Sequence, residues 1–341
     1  MNPVWKTFLE SRGARFVDGR FEDFGNAPAE LAAAAGTVLA PLARFGLIRT
    51  SGEEAAHFLH RLLTNDVDHL SAERAERCGL CSPKGRLLAD FLLWREGQDY
   101  LLQLSAGIQP AVLKRLGMYV LRSKVKLSDA SEDTVLLGLA GPQAEAALDA
   151  ADLDVPAEVL GASPFPGGVL LRLEAGHFQI AARVDAATRL WASLAGRASP
   201  VGTAVWRWLE IAAGIPHISA ATQEEFVPQM VNLELTGGVS FTKGCYPGQE
   251  VVARTKYLGK VKRRAYRARL DGDCPSPGTD LYSADLPDQS CGKVIEAAPS
   301  PAGGCELLAS MLMASAQGGA VRVGSAQGPL LEFLPLPYPL E

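Results

Sequence analysis

The chain has 341 residues, 48% of them hydrophobic and 21% charged, with a formal net charge of −5. That length exceeds what one hydrophobic core serves, so two or three domains are expected, and the balance excludes a disordered chain. The net negative charge gives no reason to expect bulk nucleic-acid binding, and no apolar run reaches the length of a membrane-spanning helix.

Residues 1–16 predict a first helix with Val4, Trp5, Phe8 and Leu9 on one face. No basic segment followed by an apolar stretch precedes it, and acidic Glu10 weighs against a transit peptide, so a cytoplasmic location is expected. Residues 16–36 are alanine-rich and turn-punctuated, and predict an irregular segment with a short strand. A strand over 44–50 follows, and Ser51-Gly52-Glu53-Glu54 reads as a capping box opening a helix through Ala55, Phe58, Leu59 and Leu62. Strands are predicted over 77–81 and 87–94, joined by the turn Ser82-Pro83-Lys84-Gly85, then over 100–104. Gln109-Pro110 opens a helix through Val112, Leu113 and Leu116.

The same order returns downstream. A strand over 134–140 leads to a helix through Ala144 and Leu148, a hairpin pairs 169–173 with 178–184, and a helix covers 186–194. Such a duplication with antiparallel hairpins predicts α+β halves rather than a doubly wound parallel sheet. No G-x-G-x-x-G, Walker or G-x-S-x-G motif supports dinucleotide, nucleoside triphosphate or serine-hydrolase chemistry. A helix over 206–213 runs into Gly214-Ile215-Pro216. Beyond Tyr257, short alternating strands (292–297, 307–314 and 321–323) predict a small β-barrel or sandwich.

Six cysteines do not make a disulfide framework in a chain of this length, and Cys274, Cys291 and Cys305 lack ligand spacing, so reduced thiols are expected. Cys78 and Cys81 form a C-x-x-C without a second pair to complete a zinc site. His57 and His60 likewise lack a third ligand, and no metal is expected. Cys245 lies in Lys243-Gly244-Cys245-Tyr246-Pro247-Gly248-Gln249-Glu250, where Pro247-Gly248 has type II turn chemistry. Two readings stand level. Lys243 and Arg254 are nearby cations that favour a reactive thiolate, or the cysteine is a small filler in a tight turn. Asp90, in an apolar strand, is either internally paired or edge-placed, or lines a pocket. Residues 243–269 hold nine Lys or Arg against one acid, Glu250. That strip is either a pair of solvated strands or an anion-facing surface for a polyglutamyl tail or RNA.

K-G-C-Y-x-G-Q-E followed by Ala253-Arg254 resembles the signature of the YgfZ-type folate-binding proteins, relatives of the glycine-cleavage T-protein aminomethyltransferases. The match extends through Gly214-Ile215-Pro216, Phe226-Val227-Pro228-Gln229, Asn232-Leu233 and Gly238-Val239-Ser240-Phe241, and more loosely to Leu336-Pro337-Tyr338. The resemblance implies a T-protein-like fold with two antiparallel-sheet halves, 1–50 with 131–205 and 51–130 with 206–258, and a C-terminal barrel over 259–341. It implies tetrahydrofolate or a derivative as ligand, and Cys245 as the chemical residue with Lys243 and Arg254 in support. Asp90, Tyr246, Gln249, Glu250 and Glu210 make up the folate side, Gln249 and Glu250 by fixing the turn.

Two departures favour binding over turnover. Ala89 replaces one member of an acidic pair in the relatives' hairpin, and Ala212 replaces a pterin-gripping glutamate. Glu210, two residues further back, would lie on another helical face. The implied function is an accessory role for iron–sulfur enzymes or assembly proteins and tRNA modification. The rival is tetrahydrofolate-dependent aminomethyl transfer, and a third reading is RNA binding through the 254–269 strip.

Overall fold

A computed structural model describes residues 1–286 and 289–340. The chain divides into two compact units. The first comprises Met1–Phe58, Asp68–Glu76 and Leu92–Trp206, and the second Leu59–Val67, Arg77–Phe91 and Arg207–Glu341.

The first unit opens with the helix Pro3–Ser11, whose first turn is capped by the Asn2 carboxamide oxygen accepting from the amides of Val4 and Trp5. Trp5 and Leu9, one helical turn apart, are buried, whereas Val4 is 65% exposed and is not part of the inner face. The stretch expected to be irregular with a strand holds a hairpin, Arg15–Val17 with Arg20–Asp23, and also the helix Ala27–Ala33. Asn26 caps that helix by accepting from the Ala29 amide at 3.2 Å. The capping box expected at Ser51 does not form. Ser51 closes the strand Phe45–Ser51, and the Glu54 carboxylate accepts from the Lys124 amide at 2.5 Å instead.

Two larger sheets accompany the hairpin over 15–23. One runs in the order Ala162–Phe165, Gly168–Glu174, His177–Ala182, Val135–Ala140, Val38–Pro41 and Ser199–Pro200, parallel only at its last pair. Leu139, Leu170, Phe178 and Ile180 pack from it against Trp191 of the helix Val184–Leu194. In the other, residues 92–96 pair with Asp99–Ser105, which is followed by Phe45–Ser51 and Lys126–Asp129.

The second unit is dominated by a curled, antiparallel six-stranded half-barrel. Its order is Val321–Val323, Asp280–Ser283, Gly292–Pro299, Cys305–Leu312, Arg263–Leu270 and Glu332–Leu334. The predicted strand over 307–314 ends at Leu312, because Met313–Gly318 turns into a short helix stopped by Gly319 at φ 74°. One cysteine expectation fails here. Cys274 and Cys305 form a disulfide, which ties the segment after Leu270 back to the strand Cys305–Leu312. The expectation rested on sequence spacing, whereas the two Cα atoms lie 5.2 Å apart across 31 residues of chain. No helix among the described residues is long and apolar enough to cross a membrane.

Candidate functional site

The signature residues fold, all within the second unit, as a turn followed by a helix. The Gln249 amide donates to the Tyr246 carbonyl at 3.1 Å, and Gly248 sits at φ 81°, ψ 1°. Those angles are the third residue of a type II turn, as Pro247-Gly248 predicts. Glycine is required there for a second reason. A Cβ on Gly248 would lie 2.5 Å from the Ser82 carbonyl oxygen and 2.6 Å from the Gly85 Cα. Gly85 closes the Ser82–Gly85 turn at φ +71°, and a Cβ on it would lie 2.8 Å from Val251 Cβ. Two tight turns therefore meet backbone to backbone.

The helix Gln249–Tyr257 follows, where the basic strip raised the reading of solvated strands. It has little apolar content and buries only Val252, so periodicity did not announce it. The Gln229 carboxamide pins it by donating to the Val252 carbonyl at 2.8 Å. Gln249 donates to the Gly244 carbonyl at 3.4 Å, while Glu250 is exposed in the first helical turn. Above this frame Cys245 is exposed.

Lys243 is buried beneath it. Its ammonium donates to three backbone carbonyls, those of His60, Leu63 (2.6 Å) and Asn65 (2.9 Å), where the helix Ala55–His60 ends. It also lies 5.3 Å from the centre of the buried Tyr246 ring. An ammonium has three donors, and three backbone carbonyls face it here. Lys243 is thus a clamp that seats the signature loop, and Arg254 is exposed on the helix that follows.

A second cluster surrounds Asp90, which is 7% exposed. One carboxylate oxygen lies 2.9 Å from His217 Nδ1, and the other accepts from the Ile218 amide at 2.5 Å. Across the ring, His217 Nε2 lies 3.3 Å from Glu210 of the helix Thr203–Ala212. Burial alone would push this imidazole's pKa down. The charges of Glu210 and Asp90 and their hydrogen bonds overcome that and lift it to about 10, so His217 is an imidazolium at neutral pH. Glu210 therefore does come to the Asp90 region, through a histidine that sequence reasoning missed. Its only local signal was its place directly after Gly214-Ile215-Pro216, for Asp90 is 127 positions away.

The neighbouring motif residues hold this framework. Gly214, at φ +69°, leaves room for the Tyr338 ring, whose hydroxyl donates to the Gly214 carbonyl at 2.7 Å. Asn232 is buried in the left-handed region and pairs through its carboxamide with both backbone groups of Ala265. Cys78 and Cys81 are buried in the strand Ala75–Cys81, where burial pushes the Cys81 thiol up to about 12. Among the described residues no group of three or more His, Cys, Asp or Glu could hold a metal ion.

Antiparallel sheets of this order and a curled terminal half-barrel define a T-protein-like fold. Residues 26–163 match the family model of the GCVT N-terminal domain. Over 97% of its length the chain superposes on the glycine cleavage system aminomethyltransferase T from Bartonella henselae. That match covers 95% of the aminomethyltransferase, with a TM-score of 0.79 and 19% identity. Within that class, the chain is 35% identical over 308 residues to the tRNA-modifying protein YgfZ of Edwardsiella ictaluri (strain 93-146), covering 85% of this chain and 89% of the relative. It is 34% identical over 240 residues to the YgfZ of Yersinia pestis (strain Pestoides F), covering 70% of this chain and 72% of the relative. The chain belongs to the YgfZ family.

Proposed function

We propose that this protein is a cytoplasmic folate-binding accessory factor for iron–sulfur enzymes of tRNA modification, in which Cys245 meets the partner. The observation that carries the reading is the mounting of Cys245. A thiol displayed to solvent on a turn braced by Gly85, Gly248 and the Lys243 clamp is built to be presented. A space-filling cysteine would resemble Cys78 and Cys81, which are buried. Family membership supports the tRNA-modification setting, and the GCVT-type fold supports a reduced folate, which carries one-carbon groups.

Asp90 suits a pterin as an acceptor, since each oxygen takes one internal hydrogen bond and retains a lone pair. Tyr246, Gln249 and Glu250 lie on or beside the braced turn. Glu210 is turned towards His217, so in this reading it positions Asp90 through the imidazolium and does not grip the ligand. Calorimetry with tetrahydrofolate and its 5-formyl derivative tests binding, and no heat at millimolar ligand with folded protein refutes it. Alkylation mapped by mass spectrometry should label Cys245 in the native protein and spare Cys78 and Cys81.

Aminomethyl transfer is the second reading, favoured by the likeness to aminomethyltransferase T in fold. A proton-transfer group contributes typically ~10²–10⁴ in rate. Ala89 leaves the hairpin with one acid, and that acid is already engaged by His217 and Ile218. Ammonia release from an aminomethylated carrier with tetrahydrofolate should therefore stay at background.

A further inference from the structure

The basic strip sorts into two sets. Five of its nine cations are buried or half-buried. Lys243 clamps three carbonyls, Arg263 donates to the Cys291 carbonyl at 2.8 Å, and Arg264 is buried against Glu234 and the Gln229 carbonyl. Arg267 meets Glu306 at 2.5 and 2.9 Å, and Arg269 reaches Asp271 at 3.6 Å. The other four, Arg254, Lys256, Lys260 and Lys262, are all exposed, and they cluster at the end of the helix Gln249–Tyr257 and in the segment after it.

Between them two large side chains face solvent, Tyr257 at 65% exposure and Leu258 at 85%. Tyr257 is held edge-to-face against Phe241 at 6.0 Å, and Lys256 lies 5.6 Å from the same Phe241 ring. Helix-dipole complementarity explains Arg254 and Lys256, which stand in the last turn. It explains neither the two lysines beyond the helix nor the outward tyrosine.

We propose that this helix end is a docking surface for single-stranded RNA. Arg254, Lys256, Lys260 and Lys262 would track phosphates, and Tyr257 would serve as a base-stacking platform. Charge complementarity selects a polyanion, because four cations stand together on a protein whose net charge is −5. The braced, exposed aromatic among them selects a polymer with flat bases over an acidic peptide. This goes beyond the accessory role, which does not require RNA to touch the chain.

The test is fluorescence anisotropy with a labelled 12-nucleotide single-stranded RNA, from about 50 to 200 mM salt. The wild-type protein should bind with Kd in the range ~1–100 µM at the lowest salt. Four phosphate contacts predict a slope of log K against log salt of about −3. Tyr257→Ala should weaken binding about tenfold with the slope unchanged. Lys260→Gln with Lys262→Gln should make the slope shallower by about 1.4. Lys114→Gln with Lys126→Gln, two exposed lysines elsewhere, should change neither. No binding by wild type, or equal losses in the control pair, overturns the proposal. So does retention on vesicles of anionic phospholipid in place of RNA. Wild-type protein that takes up tetrahydrofolate but not RNA overturns this inference alone.

Discussion

At Asp90, three ionisable groups face one another largely out of water, whereas at Cys245 the thiol is held out in water by groups that are themselves buried. The first cluster sets an imidazolium between two carboxylates. The second directs its strongest group, the Lys243 ammonium, inward at three carbonyls and leaves the cysteine outside. Charge near a motif residue does not by itself assign that residue a chemical partner. Lys243 is two residues from Cys245, yet it donates to three carbonyls of the scaffold.

The largest effect should come from Lys243→Met. It removes the donor from one buried and two part-buried carbonyls, at ~1–3 kcal/mol for each orphaned group, so a loss of about 4 kcal/mol is expected in urea denaturation. A loss under about 1 kcal/mol would show that the clamp is not structural. His217→Gln should cost somewhat less, about 3 kcal/mol, by leaving two carboxylates without their cation.

The same histidine sets a pH dependence that separates the clusters. Its folded pKa of about 10 lies above the ~6.5 of an unfolded imidazole. The stabilisation is therefore complete below about pH 6.5 and is lost as pH rises towards 10, by up to about 1.4 kcal/mol per pH unit. Denaturation between pH 6 and 9.5 should show that decline, and His217→Gln should flatten it. Lys243→Met should leave the slope in place.

Gly248→Ala should cost about 2 kcal/mol or more, since it combines a left-handed backbone with a 2.5 Å approach to the Ser82 carbonyl. Thermal melts would measure it. The smallest effect should be that of Cys245→Ala, within ~0.5 kcal/mol of wild type because its side chain packs against little. A larger loss would return Cys245 to the role of filler.

Much of the fold was readable because its determinants are local. The hairpin around Ser82–Gly85, the strands on either side of it, and the helices opened by Gln109 and running through Ala144 and Leu148 follow from turn chemistry and periodicity. The Pro247-Gly248 turn belongs with these. The helix Gln249–Tyr257 was missed because it is mostly exposed and carries no apolar stripe. It is held instead by the Gln229 carboxamide, 23 positions away from Val252. The helix Ala27–Ala33 was hidden by its alanines, which leave no polar face to contrast with an apolar one.

The sequence by itself determined that a type II turn follows Cys245, that the sheets are largely antiparallel, and that cations crowd residues 243–269. Local backbone geometry and residue order decide such features, so no distant contact is needed to read them. Only the tertiary structure decided which of those cations are buried and which face outward. Only it brought His217 between Asp90 and Glu210, and Cys274 to Cys305. Those outcomes depend on which chain segments burial brings together. The free energy of a buried charge is set by the partner it meets there, and sequence separation does not encode that meeting.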